Sequence, residues 1–296
     1  MKNEVISEER RQYLAKIKRE KIAVLCTQII VLVIFIVTWE VLANLKVIDS
    51  FITSQPSRIL NTFMNLSSND LITHIIVTTY ETIVGFLLGT SLGSIIAIIL
   101  WWSKFLEKVT ESYLVVLNSL PKVALGPIII LWVGAGTPAI IVMAMAISLV
   151  VTILEILNGF NKTDKELIKM ANTFKCNKFQ VLTKIVIPAN ISTFISSLKV
   201  NIGLSLVGVI SGEFLVSKAG LGYLIVYGGQ VFKLDLVMTS VLILGVLAGV
   251  MYGAVLLLEK IISKTRLKIY WRKMLTLTPR KGIRGMMWKP GAVPEN

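Results

Sequence analysis

Charged residues that lie inside or beside the long apolar stretches of this sequence are its main candidates for chemistry, and they include Glu40, Glu81, Lys122, Lys199 and Glu213. A charge within a bilayer is costly, so such residues usually face the interior of a helix bundle or a water-filled path. His74 is the only histidine. Metal sites and catalytic triads that need several histidines are therefore excluded, and we predict no metal site and no catalytic residue.

Motifs for handling nucleotides are absent. The sequence has no G-x-x-x-x-G-K-[ST] phosphate-binding loop, so it cannot bind and hydrolyse ATP by that route. Its single histidine and scattered carboxylates also argue against a membrane-embedded enzyme. Cys26 falls in an apolar run and Cys176 in a basic segment, and a disulfide framework is not expected at either place.

The composition indicates an integral membrane protein. Hydrophobic residues make up 54% of the chain, the mean hydropathy is +0.75, and only 16% of residues are charged, whereas a soluble domain carries charge on about a quarter of its residues. Six apolar runs can cross a hydrocarbon layer of about 30 Å as helices. We therefore expect an all-α membrane protein with about six transmembrane helices, near residues 22–45, 75–101, 110–134, 138–157, 191–216 and 236–260.

Lysine and arginine are sorted unevenly between the segments that connect these runs. The segments 1–21, 102–109, 158–190 and 260–296 together hold 25 of the 31, and the segments on the opposite side hold four. Excess positive charge marks the cytoplasmic face. We therefore expect both termini to be cytoplasmic, and we expect the basic tail (263–296) to meet the membrane surface rather than nucleic acid.

The polar segment 158–190, called the lysine-rich segment below, carries six lysines between two apolar runs. Residues 163–166 have the spacing of a capping box, in which Thr163 and Glu166 would each bind a free backbone N–H at a helix start. Behind it, an apolar stripe at helical spacing is predicted to lie on one face and consists of Leu167, Met170, Ala171 and Phe174.

A second helix start is predicted at Asn177, and Pro188 marks the entry to the next apolar run. A two-helix connection with an apolar stripe, beside a membrane, suits docking into a groove of another protein. The alternative is an amphipathic helix that lies on the membrane surface.

The lysine-rich segment resembles the cytoplasmic coupling loop of ATP-binding-cassette importer permeases, whose pattern is E-A-A-x-x-x-G, nine residues, then I-x-L-P. The pattern falls on Lys169, Met170, Ala171, Lys175, Ile185, Ile187 and Pro188, of which Ala171, Ile185 and Pro188 match. The likeness continues through residues 117–136 and 203–225 and covers roughly 38–262. These runs resemble the permeases that serve nitrate, sulfonate, taurine and thiamine-precursor uptake.

Two positions depart from the pattern, because Lys169 replaces its acidic residue and Lys175 its glycine. A glycine supplies a left-handed turn readily, and a lysine in that conformation costs on the order of 1 kcal/mol. Either the turn is re-made around Cys176 and Asn177, or the loop has a different geometry.

The resemblance implies a permease subunit in the bacterial plasma membrane, with a basic N-terminal segment (1–21), a transmembrane domain (22–262) and the basic tail (263–296). It implies that two copies of the chain line one path for a small solute, which an extracytoplasmic substrate-binding protein delivers. It also implies two cytoplasmic ATPase subunits that use ATP and Mg, whereas this chain binds no cofactor. The ATPase-coupling residues would be Leu167, Lys169, Met170, Ala171, Phe174, Lys175 and Pro188. The alternative from another class is an ion-coupled secondary transporter.

Other candidate residues are glycines and prolines within the spans. Gly85, Gly89 and Gly93 recur at every fourth position and predict close helix packing, either within the subunit or across a dimer. Proline breaks the third span, which predicts a bent, path-lining helix or a simple kink. The resemblance implies that Glu213 and its neighbours shape an external gate or a dock for the binding protein, and the alternative is a structural hydrogen bond to a neighbouring helix. The pathway and gate candidates are therefore Pro121, Pro127, Glu213, Gly220 and Gly222.

Overall fold

The computed structural model describes the backbone of residues 8–67 and 70–277 and the side chains of residues 12–65 and 70–261. These residues form helices and no strand. The helices are α1 (Glu8–Asn44), α2 (Ser50–Thr53), α3 (Pro56–Ser67), α4 (Leu71–Trp102), α5 (Lys104–Ser119), α6 (Gly126–Val133), α7 (Thr137–Asn161), α8 (Lys165–Thr173), α9 (Lys178–Val181), α10 (Ile187–Ala189), α11 (Ile191–Val216), α12 (Leu221–Gln230) and α13 (Leu234–Leu277).

Five of these helices are long and apolar enough to cross a membrane: α1, α4, α7, α11 and α13. The predicted third span is instead a pair of helices, α5 and the stretch Lys122–Val133, which meet at 89°. The break falls at Leu120, whose backbone is extended, and at Pro121, which cannot donate a helical hydrogen bond. The prediction of an all-α protein with about six spans is confirmed, with the third span broken.

Helix α7 is the centre of the bundle, because α4 and α11 pack along it on two sides. Small residues permit this close contact. A Cβ atom added at Gly85 of α4 would lie 2.5 Å from the Cβ of Ala144, and Gly89 and Gly93 face Ser148 and Thr152 in the same way. The glycine ladder of α4 therefore packs within the subunit, against α7.

The outer helices are tied on by polar contacts. Ser57 at the start of α3 donates to Glu40 of α1 through both its backbone N–H and its hydroxyl, at 3.1 and 2.9 Å. Arg58 of α3 forms a 3.0 Å ion pair with Asp235 of α13. Most of α1 remains uncovered, and none of its most apolar window is buried within the chain.

The helical backbone continues across both predicted domain boundaries. Helix α1 begins at Glu8, inside the basic segment 1–21, and α13 runs on to Leu277, inside the tail 263–296. The remainder of that tail, residues 278–296, lies outside the described residues.

Candidate functional site

Helix α8 begins one residue later than the predicted capping box requires. Asp164 is the N-cap, and its carboxylate accepts a 2.8 Å hydrogen bond from the backbone N–H of Glu166. Thr163 is buried and accepts a 2.7 Å bond from the side-chain amide of Asn190. The predicted role of Thr163 as cap is therefore wrong. This residue instead joins the first part of the lysine-rich segment to its last residue.

Helix α8 ends in a left-handed turn at Lys175, whose φ is +56°. The N–H of Cys176 donates to the carbonyl of Ala171 at 3.1 Å, and the N–H of Lys175 donates to that of Asn172 at 2.9 Å. This pattern is a Schellman motif, which normally has glycine at the left-handed position. The left-handed residue is Lys175 itself, so the turn is not re-made around Cys176 and Asn177.

Helix α9 begins after Asn177, where a helix start was predicted, and it has a complete capping box. Asn177 Oδ1 accepts from the N–H of Gln180 at 2.8 Å, and Gln180 Oε1 accepts from the N–H of Asn177 at 3.0 Å. The helix then widens into a π turn over Leu182–Val186 and continues as α10. Pro188 is half-buried in α10, directly before α11.

The predicted apolar stripe of α8 is divided between two environments. Ala171 is only 3% exposed and joins a buried cluster with residues of α4, α7 and α9. Leu167, Met170 and Phe174 point away from that cluster, and the Phe174 side chain is 75% exposed. The predicted stripe is therefore only partly exposed, with Ala171 at its buried edge.

Phe179 of α9 enlarges the apolar surface, with 62% of its side chain exposed. We call Leu167, Met170, Phe174 and Phe179 the exposed apolar face. Lys169 and Lys175 are exposed beside it. The sequence could have revealed Phe179 because it directly follows the second helix start, but helical spacing within α8 alone does not reach it.

A second cluster lies at the opposite end of the bundle, where α11 ends and α12 begins. Glu213 is buried; its Oε1 accepts from the Thr78 hydroxyl at 2.6 Å, and its Oε2 accepts from the Gly222 N–H at 2.6 Å. Thr78 also accepts from the N–H of Leu221 at 2.8 Å, and His74 Nδ1 accepts from that of Gly220 at 2.9 Å. Side chains of α4 and α11 thus satisfy the free N–H groups at the start of α12.

The glycines of this cluster are required by close approach. Gly220 has a φ of +117°, and a Cβ atom there would collide with the Glu213 carboxylate. At Gly222 a Cβ would lie 2.8 Å from Glu213 Oε2. Among the described side chains, Glu81 is a fully buried carboxylate whose two oxygens lack a hydrogen-bond partner, and Glu213 and Thr137 are its polar neighbours.

The remaining predicted residues are scattered. Pro121 lies at the bend between the two halves of the third span, and Pro127 lies in the first turn of α6. The ammonium of Lys122 donates to the carbonyl of Asn118 at 2.9 Å, at the end of α5. Lys199 pairs with Glu259 of α13 at 2.7 Å.

No cluster of three or more His, Cys, Asp or Glu side chains suited to a metal occurs in the described part of the chain.

Comparison with known proteins identifies the family to which this chain belongs. Residues 89–267 match the family described as "Binding-protein-dependent transport system inner membrane component". The chain belongs to this family. It is therefore a multi-pass membrane component of a transport system, and this family is consistent with a permease that is not itself an enzyme. The matched range includes the lysine-rich segment and Glu213, but it begins after Glu81.

Relatives of this permease extend over most of its length. A putative aliphatic sulfonates transport permease of Bacillus subtilis is 27% identical over 79% of this chain and 85% of its own. The formylaminopyrimidine transport permease of Halalkalibacterium halodurans is 24% identical over 80% and 92% of the two chains. The nitrate import permease of Synechococcus elongatus is 24% identical over 71% and 79%.

The solved structures show the same fold. A chain of the inward-facing MetNI methionine ABC transporter superposes with a TM-score of 0.58, at 16% identity, over 66% of this permease and 95% of that chain. At that identity the likeness concerns the fold alone. The permease thus has the same helical fold as that chain, with the lysine-rich segment between α7 and α11.

Proposed function

We propose that this permease is the membrane subunit of an ATP-driven importer, with its lysine-rich segment docked on a cytoplasmic ATPase. Two copies of the chain would line one path, and each would contact one of two ATPase subunits that use ATP and Mg. Both termini and the segment would lie in the cytoplasm of a bacterium, as the distribution of lysine and arginine favours.

The exposed apolar face is the observation that carries this proposal. Leu167 and Met170 are exposed on α8, Phe174 directly follows its last residue, and Phe179 is exposed on α9, whereas the other large apolar residues of the segment are buried or partly buried. A short helix with clustered apolar anchors is a recurrent mode of insertion into a protein groove. Large exposed apolar patches on such a surface mark interaction sites.

The other side of the same segment explains how a force on it could reach the path. Ala171, Val181, Leu182 and Val186 are buried against residues of α4, α5 and α7. The bond from Asn190 to Thr163 holds the two ends of the segment together. A movement of the docked ATPase would therefore shift α7 and α11 with the segment, as a rigid-body change between inward- and outward-open states.

The opposite end would receive the solute from an extracytoplasmic binding protein. The cluster of Glu213, Gly220 and Gly222 would shape the external gate there, and the bend between Pro121 and Pro127 would border the path. Relatives named for aliphatic sulfonates, nitrate and formylaminopyrimidine support a small solute of one of two kinds, an oxyanion or a pyrimidine.

The test replaces one anchor of the exposed apolar face with a charge. We expect Phe174→Asp to reduce co-purification of the ATPase subunit, and the ATP hydrolysis stimulated by the binding protein, at least about tenfold, because central aromatic anchors carry much of an interface's energy. The melting temperature of the variant should match that of the unaltered permease, since Phe174 is 75% exposed.

The matched control is Lys165→Gln, which lowers the net charge by the same one unit on the same helix but lies away from the exposed apolar face. It should retain both ATPase binding and stimulated hydrolysis. Normal ATPase binding by Phe174→Asp would refute docking through this face. Uptake by the permease alone in liposomes, with an ion gradient and no ATP, would refute the importer itself.

A further inference from the structure

A cavity of about 310 Å³ separates the lysine-rich segment from the nearest ends of α4 and α5. Its walls come from both sides: from α4 and the start of α5, and from α8, α9 and the turn between them. The residues that line it are Trp101, Trp102, Lys104, Ile168, Asn172, Cys176, Lys178 and Val181. Ile168 and Asn172 lie on a different side of α8 from the exposed apolar face, so the cavity is separate from the proposed ATPase contact.

The charge of the cavity is uniformly positive. Lys104 and Lys178 enter it from opposite walls, and no carboxylate lines it. Neither lysine forms an ion pair within the described side chains. Two cationic groups that face one cavity without a counter-ion repel each other, and an anion between them would remove that repulsion.

The position of the cavity points to the membrane as the source of that anion. Trp101 and Trp102 are the last residues of the membrane-crossing helix α4. Tryptophan at the end of a span marks the level of the lipid headgroups. Basic pockets between helices at this level are suited to phospholipid headgroups. The partly exposed Trp102 provides an apolar wall against which the first part of an acyl chain can pack.

We propose that this cavity binds the anionic headgroup of a phospholipid, such as phosphatidylglycerol, from the leaflet around the lysine-rich segment. The phosphate would lie between Lys104 and Lys178, with Asn172 as a further donor. A lipid held there would fill the space between the segment and the end of α4.

Cys176 offers a direct measurement because its partly buried thiol lines the cavity. The other cysteine, Cys26, is exposed on α1 and can be removed as Cys26→Ser. The experiment measures the rate at which a maleimide modifies Cys176 in the full chain, in nanodiscs of phosphatidylcholine alone or with one third phosphatidylglycerol. We expect phosphatidylglycerol to slow the modification several-fold.

The double variant Lys104→Gln/Lys178→Gln should weaken the apparent affinity for phosphatidylglycerol, titrated by this protection, about tenfold or more. The control Lys165→Gln/Lys169→Gln removes two lysines of α8 that do not line the cavity. It should keep the protection. Circular dichroism and melting temperature would show that both double variants are folded.

Three outcomes would overturn the proposal. The first is equal modification rates in the two kinds of nanodisc. The second is equal loss of protection in the two double variants, which would indicate general surface attraction. The third is full protection by millimolar inorganic phosphate in phosphatidylcholine nanodiscs, which would identify the ligand as a soluble anion. None of these outcomes bears on Phe174, so they leave the proposed ATPase contact unaffected.

Discussion

The two ends of the bundle are held together in different ways. At the end where α12 begins, Thr78 and Glu213 are 135 residues apart in the chain and are joined by a buried hydrogen bond of 2.6 Å. At the end with the lysine-rich segment, the turns are fixed mainly by near neighbours, as in the capping box between Asn177 and Gln180. The structure of the Glu213 end thus depends on contacts between helices that are distant in sequence. The structure of the lysine-rich segment depends largely on local hydrogen bonds and on its packing against an apolar cluster.

This difference suits two different tasks. A buried network in which each donor has an acceptor fixes one arrangement of helices and resists change, because an unpaired polar group in an apolar interior costs free energy. Locally determined helices keep their shape when they move as a unit. Substitutions at the Glu213 end should therefore act mainly on stability, whereas substitutions on the exposed apolar face should act on coupling with little effect on stability.

Removal of a carboxylate at each end should give the largest contrast. Glu213→Ala leaves Thr78 and the Gly222 N–H without their acceptor and creates a cavity, so we expect a loss of about 2–4 kcal/mol of unfolding free energy. Glu166→Ala removes an exposed carboxylate from the first turn of α8 and should cost less than about 1 kcal/mol. Thermal unfolding of both variants in detergent measures the difference, and equal melting temperatures would contradict the contrast between the ends.

A substitution in the contact between α7 and α11 would show whether stability also depends on contacts between distant helices in the middle of the bundle. A Cβ atom at Gly208 would lie 2.6 Å from the Cα of Ala144, a backbone atom that no rotamer change can move. We expect Gly208→Ala to destabilise the permease by about 1–3 kcal/mol.

The matched control is Gly203→Ala in the same helix, because a Cβ at Gly203 meets nothing within 4 Å. It should have no cost and can gain up to about 1 kcal/mol from helix propensity. If both variants melted at the same temperature, the close contact between α7 and α11 would not be a determinant of stability.

The sequence predicted local features better than distant ones. The helix start at Asn177 was predictable because the residues that form it lie within four positions of each other, and about six spans followed from hydropathy. Helical spacing identified an apolar stripe on α8, but it could not show that Ala171 turns inward while Phe174 remains outside. That division depends on the residues of α4 and α7 that cover the helix, which belong to other parts of the chain.

The Glu213 cluster shows the same limit. The sequence identified Glu213, Gly220 and Gly222 as candidates, but it did not reveal Thr78. A single threonine within a long apolar helix gives no signal in the sequence that it will bind a distant carboxylate. Asp164 and Thr163 are adjacent and both can cap a helix. The choice between them was decided by Asn190, at the far end of the segment, which engages the Thr163 hydroxyl.

The smallest expected effect concerns the left-handed turn at Lys175. Lys175→Gly should stabilise the end of α8 by about 1 kcal/mol, because glycine adopts this conformation without a steric penalty. Since the effect is local, amide hydrogen exchange of residues 165–181 is a better measure than global melting, and protection there should rise about fivefold. Lys175→Ala, which removes the same charge but keeps a Cβ, should show no such gain. Equal protection in the two variants would mean that the lysine charge, rather than the backbone conformation, determines the stability of this turn, and the segment would then depend on more than local geometry.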